Sequence, residues 1–165
     1  MGEILLKNKN YYLKSIVDEP EEIKKAKMMK VRNIDIKEME SLYGDNYQIL
    51  FNQSIDSSDL LWAFYIDNKI ELVFGLAFRD KFNIPWMVST DKVQKMFPYL
   101  FTRYSKKILE IFKEYGKPLF NVIMVDNEIA IRWLKWLGFK FAPVHKIFEK
   151  NGIKFISFKY ELDKK

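Results

Sequence analysis

The stretch VDNEIAIRWLKWLGFKF, Val125 to Phe141, decides how the chain is read. Asp126 or Asn127 can cap a helix there, because a short polar side chain accepts a bond from a free main-chain N–H of the first turn. Ile129, Ala130, Trp133, Trp136 and Leu137 follow at spacings of three and four, which predicts one broad apolar face. Glu128, Arg132 and Lys135 point elsewhere. Gly138 is placed to end the helix in a left-handed conformation and hand the chain to a strand at Phe139. Taken alone, the stretch predicts a helix buried on a sheet, with both tryptophans packing it there.

The flanks extend this pattern. Leu119 to Val125 is a nearly continuous apolar run of strand length, as in a strand covered on both faces. Before it, Pro98 suits the first turn of a helix running to about Tyr115, with Phe101, Tyr104, Ile108, Leu109 and Phe112 on its apolar side. Asp91 can cap a short helix over Lys92 to Phe97. Ile84 to Ser89 reads as a strand opening next to Pro85. Leu60 to Ile66 and Ile70 to Phe78 form a hairpin across Asp67-Asn68-Lys69. Nearer the start, Tyr11 to Val17 is a strand, and Asp18 and Pro20 begin a helix. A second helix runs through Ile36, Met39 and Leu42 to Gly44, and a short third one covers Asn46 to Ser57. After the opening stretch, Phe139–Glu149 and Ile153–Leu162 are strands around Asn151-Gly152, of unsettled register. The order β-α-α-β-β-β-α-β-α-β-β predicts an α+β domain with a mixed sheet of six or seven strands.

Composition narrows the function classes. The 165 residues are 48% hydrophobic and 30% charged, the profile of one globular domain spanning 1–165. With no cysteine there is no disulfide scaffold, no thiolate nucleophile and no cysteine-held metal; no metal site is expected. No apolar run approaches about eighteen residues, so no membrane span is expected and the protein reads as cytoplasmic. Residues 1–60 carry nine Lys/Arg against eleven Asp/Glu, and residues 61–165 carry nineteen against eleven. The basic second part suits an anionic partner such as a nucleotide cofactor. Nucleic acid is the weaker reading: Arg103, Lys106, Lys107 and Lys113 make a basic stripe, but the aromatic residues are spaced for a core.

Asn127, Ala130, Gly138 and Phe139, following an apolar strand, resemble the closing motif of the GNAT acyltransferase superfamily, and the order of elements resembles that fold. The run Ala130 to Phe139, with IPWMVSTDKV (Ile84 to Val93) and the basic helix between, is also similar to a group of GNAT-like proteins of tailed bacteriophages, some acyltransferases and some virion or assembly proteins. The resemblance implies an acyl-CoA-dependent N-acyltransferase, using acetyl-CoA or another acyl-CoA and an amine acceptor on a small molecule or protein. It implies a cofactor cleft between the strands Ile84–Ser89 and Leu119–Val125. The cofactor would pair with the first strand at Met87 and Val88 and meet Asn127 and Trp133 across the cleft. Its pyrophosphate would lie on Ser89, Thr90, Asp91, Lys92 and Val93, where free N–H groups and a helix dipole favour an anion.

Two features depart from that pattern. No glycine occurs between Gly75 and Gly116, where the superfamily has a glycine-rich phosphate loop, and Leu134 stands where a catalytic tyrosine is usual. Tyr104 or Tyr99 could replace that acid; Glu71 is the candidate base, ahead of His145, the single histidine. The departures sustain an alternative, a GNAT-fold protein without catalysis that acts in virion assembly or on a phage or host protein. A homodimer through the last strand or the N-terminal segment is compatible with either.

Overall fold

Two short turns with positive φ, at Asp67-Asn68 and Asn151-Gly152, set the registers of the two hairpins on which the sheet is built. Both residues of each turn are left-handed, the geometry whose twist matches a two-residue hairpin. The computed structural model describes residues 2–5, 7–96 and 101–163. Its strands are β1 (Ile4–Leu5), β2 (Tyr11–Ser15), β3 (Leu60–Ile66), β4 (Lys69–Phe78), β5 (Asn83–Ser89), β6 (Leu119–Met124), β7 (Lys140–Phe141), β8 (Phe148–Lys150) and β9 (Ile153–Tyr160). The helices are α1 (Pro20–Lys27), α2 (Asn33–Tyr43), α3 (Tyr47–Ser57), α4 (Asp91–Met96), α5 (Phe101–Lys113) and α6 (Glu128–Leu137). The strands form one mixed sheet in the order β1-β2-β3-β4-β5-β6-β9-β7, with β8 also on β9. The α+β expectation holds, and the sheet is larger than the six or seven strands read from sequence.

Alternation along β3 and β4 divides the core in two. Trp62, Phe64, Ile66, Leu72, Phe74 and Leu76 face α5 and α6. Leu61, Ala63, Tyr65 and Val73 face α1, α2 and α3. Gly75 lies on this second face, where a Cβ would come within 2.6 Å of Trp86 Nε1 and 2.8 Å of Ser58 Oγ. The missing side chain lets the Trp86 indole lie across the strand and donate to Ser58 Oγ at 2.7 Å. Gly75→Val is therefore expected to cost about 1–3 kcal/mol by overpacking, read as a lower urea midpoint.

Several local expectations change. Asp18 does not cap α1; Glu19 occupies the cap position with its side chain turned to Gly2 N and Lys14 instead of the helix, and Pro20 opens the helix. The strand expected over Phe139–Glu149 is broken, because Pro143 has no N–H for a ladder and the chain turns through a 3₁₀ segment at Val144–Lys146. On α6 the stripe that faces the protein is Ala130, Trp133, Leu134 and Leu137, while Ile129 and Trp136 are 41% and 49% exposed. Trp136 instead lies under Lys106 Nζ, 4.8 Å from its ring centre. The caps stand as expected: Asn127 accepts from Ala130 N, and Gly138 is left-handed at φ 103°. Pro98, Tyr99 and the junction expected there between two helices lie outside the described residues.

Candidate active site

β5 and β6 run parallel and are paired at a single register point, Asn83 with Leu119. Beyond it they diverge. Asn121 spans the start of the gap, donating from Nδ2 to the Pro85 carbonyl at 2.6 Å while its Oδ1 accepts from Val122 N. The resulting cavity, about 190 Å³, passes between the two sheet faces. Ile108, Leu109 and Phe112 of α5 and the inward stripe of α6 wall one side, and α2 walls the other.

Main-chain groups alternate along a strand, so the groups of Pro85, Met87 and Ser89 point away from β4 and into the gap. Thr90 N–H, bonded to the Glu71 carbonyl on β4, fixes this phase. Ser89 is already engaged, since its N–H donates to Asp35 Oδ2 at 3.1 Å and its carbonyl accepts from Arg32 N at 3.0 Å. Pro85 has no N–H, and its carbonyl is held by Asn121. Met87 is left with its N–H and carbonyl facing the cavity. A partly buried donor and acceptor pair facing a cavity, with no bond to another described residue, is a place for a ligand's amide.

α2 lies across the open end of the gap and puts one carboxylate on each side. Asp35 is held by Arg32 through a two-point contact, Nε at 3.0 Å and Nη2 at 2.9 Å, and it anchors the end of β5. Burial pushes the Asp35 carboxyl up, against the pull of Arg32. Glu38, one turn later, faces the other strand, where the Asn127 side chain and the Met124 main-chain amide approach its carboxyl. Burial, reinforced by the charge of Asp35, pushes Glu38 up to about 8. A carboxyl poised near neutrality in a cavity that a main-chain donor also faces is equipped to take a proton from a reacting group.

No family model matches the chain, and no curated protein matches it in sequence. Solved structures do match. The ribosomal-protein-S18-alanine N-acetyltransferase of Escherichia coli superposes with a TM-score of 0.62 at 12% identity, covering 90% of this chain and 92% of its own. A variant of the spermidine N-acetyltransferase SpeG of Vibrio cholerae gives 0.62 at 13%, covering 93% and 94%. RimL, the ribosomal L7/L12 α-N-protein acetyltransferase in complex with coenzyme A, gives 0.55 at 10%, covering 96% and 97%. The chain has the GNAT fold.

On that fold the residues expected from sequence fall into two groups. Met87, Val88, Asn127 and Trp133 line the cavity together. The others do not. Ser89 is buried on Asp35, and Thr90 donates both its N–H and its hydroxyl to Glu71. Lys92 leans toward Asp67 at 3.8 Å, both side chains exposed. Tyr104 is buried against Phe64, edge-on to Tyr11, away from the cavity. Leu134 is 6% exposed and gives the cavity an apolar wall. Glu38 and Asp35 escaped the sequence reading. The available signal was their position on one line with Met39 and Leu42, two carboxylates set into an apolar helix stripe.

Proposed function

We propose that this protein transfers an acyl group from acyl-CoA to an amine, with the donor's thioester arm lying along β5. The observation that carries the reading is the Met87 main chain turned toward a cavity that Glu38 also lines. The donor supplies an activated thioester carbonyl. Met87 N–H is placed to hold that carbonyl oxygen and to stabilise the negative charge it develops under attack. Asn127 and Trp133 bound the arm on the α6 side. Glu38 takes the proton that the amine must lose to form the amide. Glu71, the candidate base from sequence, accepts from the Thr90 hydroxyl outside the cavity lining, so the base assignment passes to Glu38; Tyr104, the candidate acid, is buried against Phe64. A thiolate is a weak enough base to leave without a dedicated acid, which makes Leu134 compatible with transfer.

Titration with acetyl-CoA tests this directly. At a hundredfold excess over Kd, one site stabilises the fold by about 2.7 kcal/mol, roughly 5–10 °C in Tm for a chain of this size. No shift at millimolar acetyl-CoA, together with no thiol release with any amine, would remove the enzyme reading.

The engaged Ser89 and the stretch without glycine from 76 to 115 favour a second reading. In it the GNAT fold serves as a non-catalytic part of a phage particle or binds a host protein. Detection of the protein in purified virions, without an acetyl-CoA shift, is the result that would select it.

A further inference from the structure

Charge accounting inside the cavity bears on which amine is accepted. Among the described residues, the charged side chains that line it are Arg32, Asp35 and Glu38. Arg32 and Asp35 engage one another through their two-point contact, and Asp35 also accepts from Ser89 N–H. Glu38 is then the one carboxylate of the lining without a cationic partner. Around it on the α2 side stand Met39, Leu42, Tyr43 and Trp86. The Trp86 ring is fixed by its bond to Ser58 and its edge contact with Phe51, and Met39 is a deformable apolar neighbour.

Resting on the acyltransferase reading, we propose that the acceptor is a primary amine on an apolar or aromatic group, with no second charge close to the nitrogen. One ammonium finds Glu38 and, as the opposite charge, favours its ionised form, while the apolar body finds the thioether and aromatic wall. A carboxylate next to the amine, as in a free amino acid, would meet no available cation and would oppose that ionisation. A second ammonium, as in a polyamine, would be buried in the same wall with no second carboxylate to receive it.

Three probes separate these cases: 2-phenylethylamine, L-phenylalanine, which adds only the α-carboxylate, and spermidine, which adds further ammonium groups. With acetyl-CoA and the intact protein, thiol release should give 2-phenylethylamine a kcat/KM about 100-fold above L-phenylalanine and at least about tenfold above spermidine. Equal rates for the first two, or a preference for spermidine, overturn the inference and leave acyl transfer standing. Calorimetric titration of the amines without acetyl-CoA decides the case in which no turnover occurs. There, tenfold tighter binding of 2-phenylethylamine than of L-phenylalanine supports the chamber, and equal or absent binding overturns it.

Discussion

Glu38→Gln is expected to lower kcat by about 10²–10⁴ and, at alkaline pH, to make the protein more stable than the parent. The two effects share one cause. The carboxyl is pushed up to about 8 by burial and by the charge of Asp35, so its ionised form is disfavoured in the fold. Because the folded pKa lies above the unfolded value, the native state binds the extra proton between about pH 4.5 and 8. The stability this proton confers is complete below the unfolded pKa and is lost as pH rises through about 8. From pH 7 to 9 the parent should lose on the order of 1 kcal/mol through this group, and the glutamine variant should not. Denaturation midpoints of both proteins across that range measure the difference. Catalysis runs the other way, since the base must be unprotonated. The rate should climb through about pH 8 in the parent, and that limb should be missing from any residual activity of the variant.

Asp35→Ala, one helical turn away, should have the opposite effect on stability. It strips the partner from Arg32, whose side chain is 13% exposed, and removes the acceptor of the buried Ser89 N–H. Breaking one side of a buried ion pair costs about 3–5 kcal/mol, because the other charge stays desolvated. At an m-value of about 2 kcal/mol/M, the urea midpoint should fall by about 2 M. Replacing both partners with apolar residues, as in Arg32→Met with Asp35→Leu, should recover much of the loss. A double variant as weak as the single one would instead place the cost in the Ser89 contact.

The sequence was most informative where local chemistry is stringent. Left-handed positions at Gly138 and Asn151-Gly152 and the amide cap at Asn127 serve the backbone near them, so short motifs report them faithfully. The neighbouring helix face was harder. Trp133 and Trp136 look equivalent by spacing, yet the direction of the stripe depends on where α5 and β6 lie. One residue of rotation places Leu134 inside and Trp136 outside. The site was harder still, because it is made by elements far apart in the chain. Asp35 meets Ser89 across fifty-four positions. Glu38 acquires its character from Met124 and Asn127, and in the sequence it is one of several acids on an ordinary helix.

The single rung between Asn83 and Leu119 has a mechanical consequence. The sheet behaves as two plates, β1 to β5 and β6 with β7 to β9, joined along one short edge. Rocking about that edge changes the aperture between them without breaking any other ladder bond. Among the described residues, the polar side chains that bridge the opening include Asn121 near the pivot, and Asp35 and Glu38 on the crossbar that α2 forms at the far end. Asp35, oriented by Arg32, clamps one plate by accepting from Ser89 N–H, whereas Glu38 meets the other through contacts that depend on its charge. The aperture and the protonation of Glu38 are therefore coupled, and a guest that claims this carboxylate also loosens the crossbar that confines it.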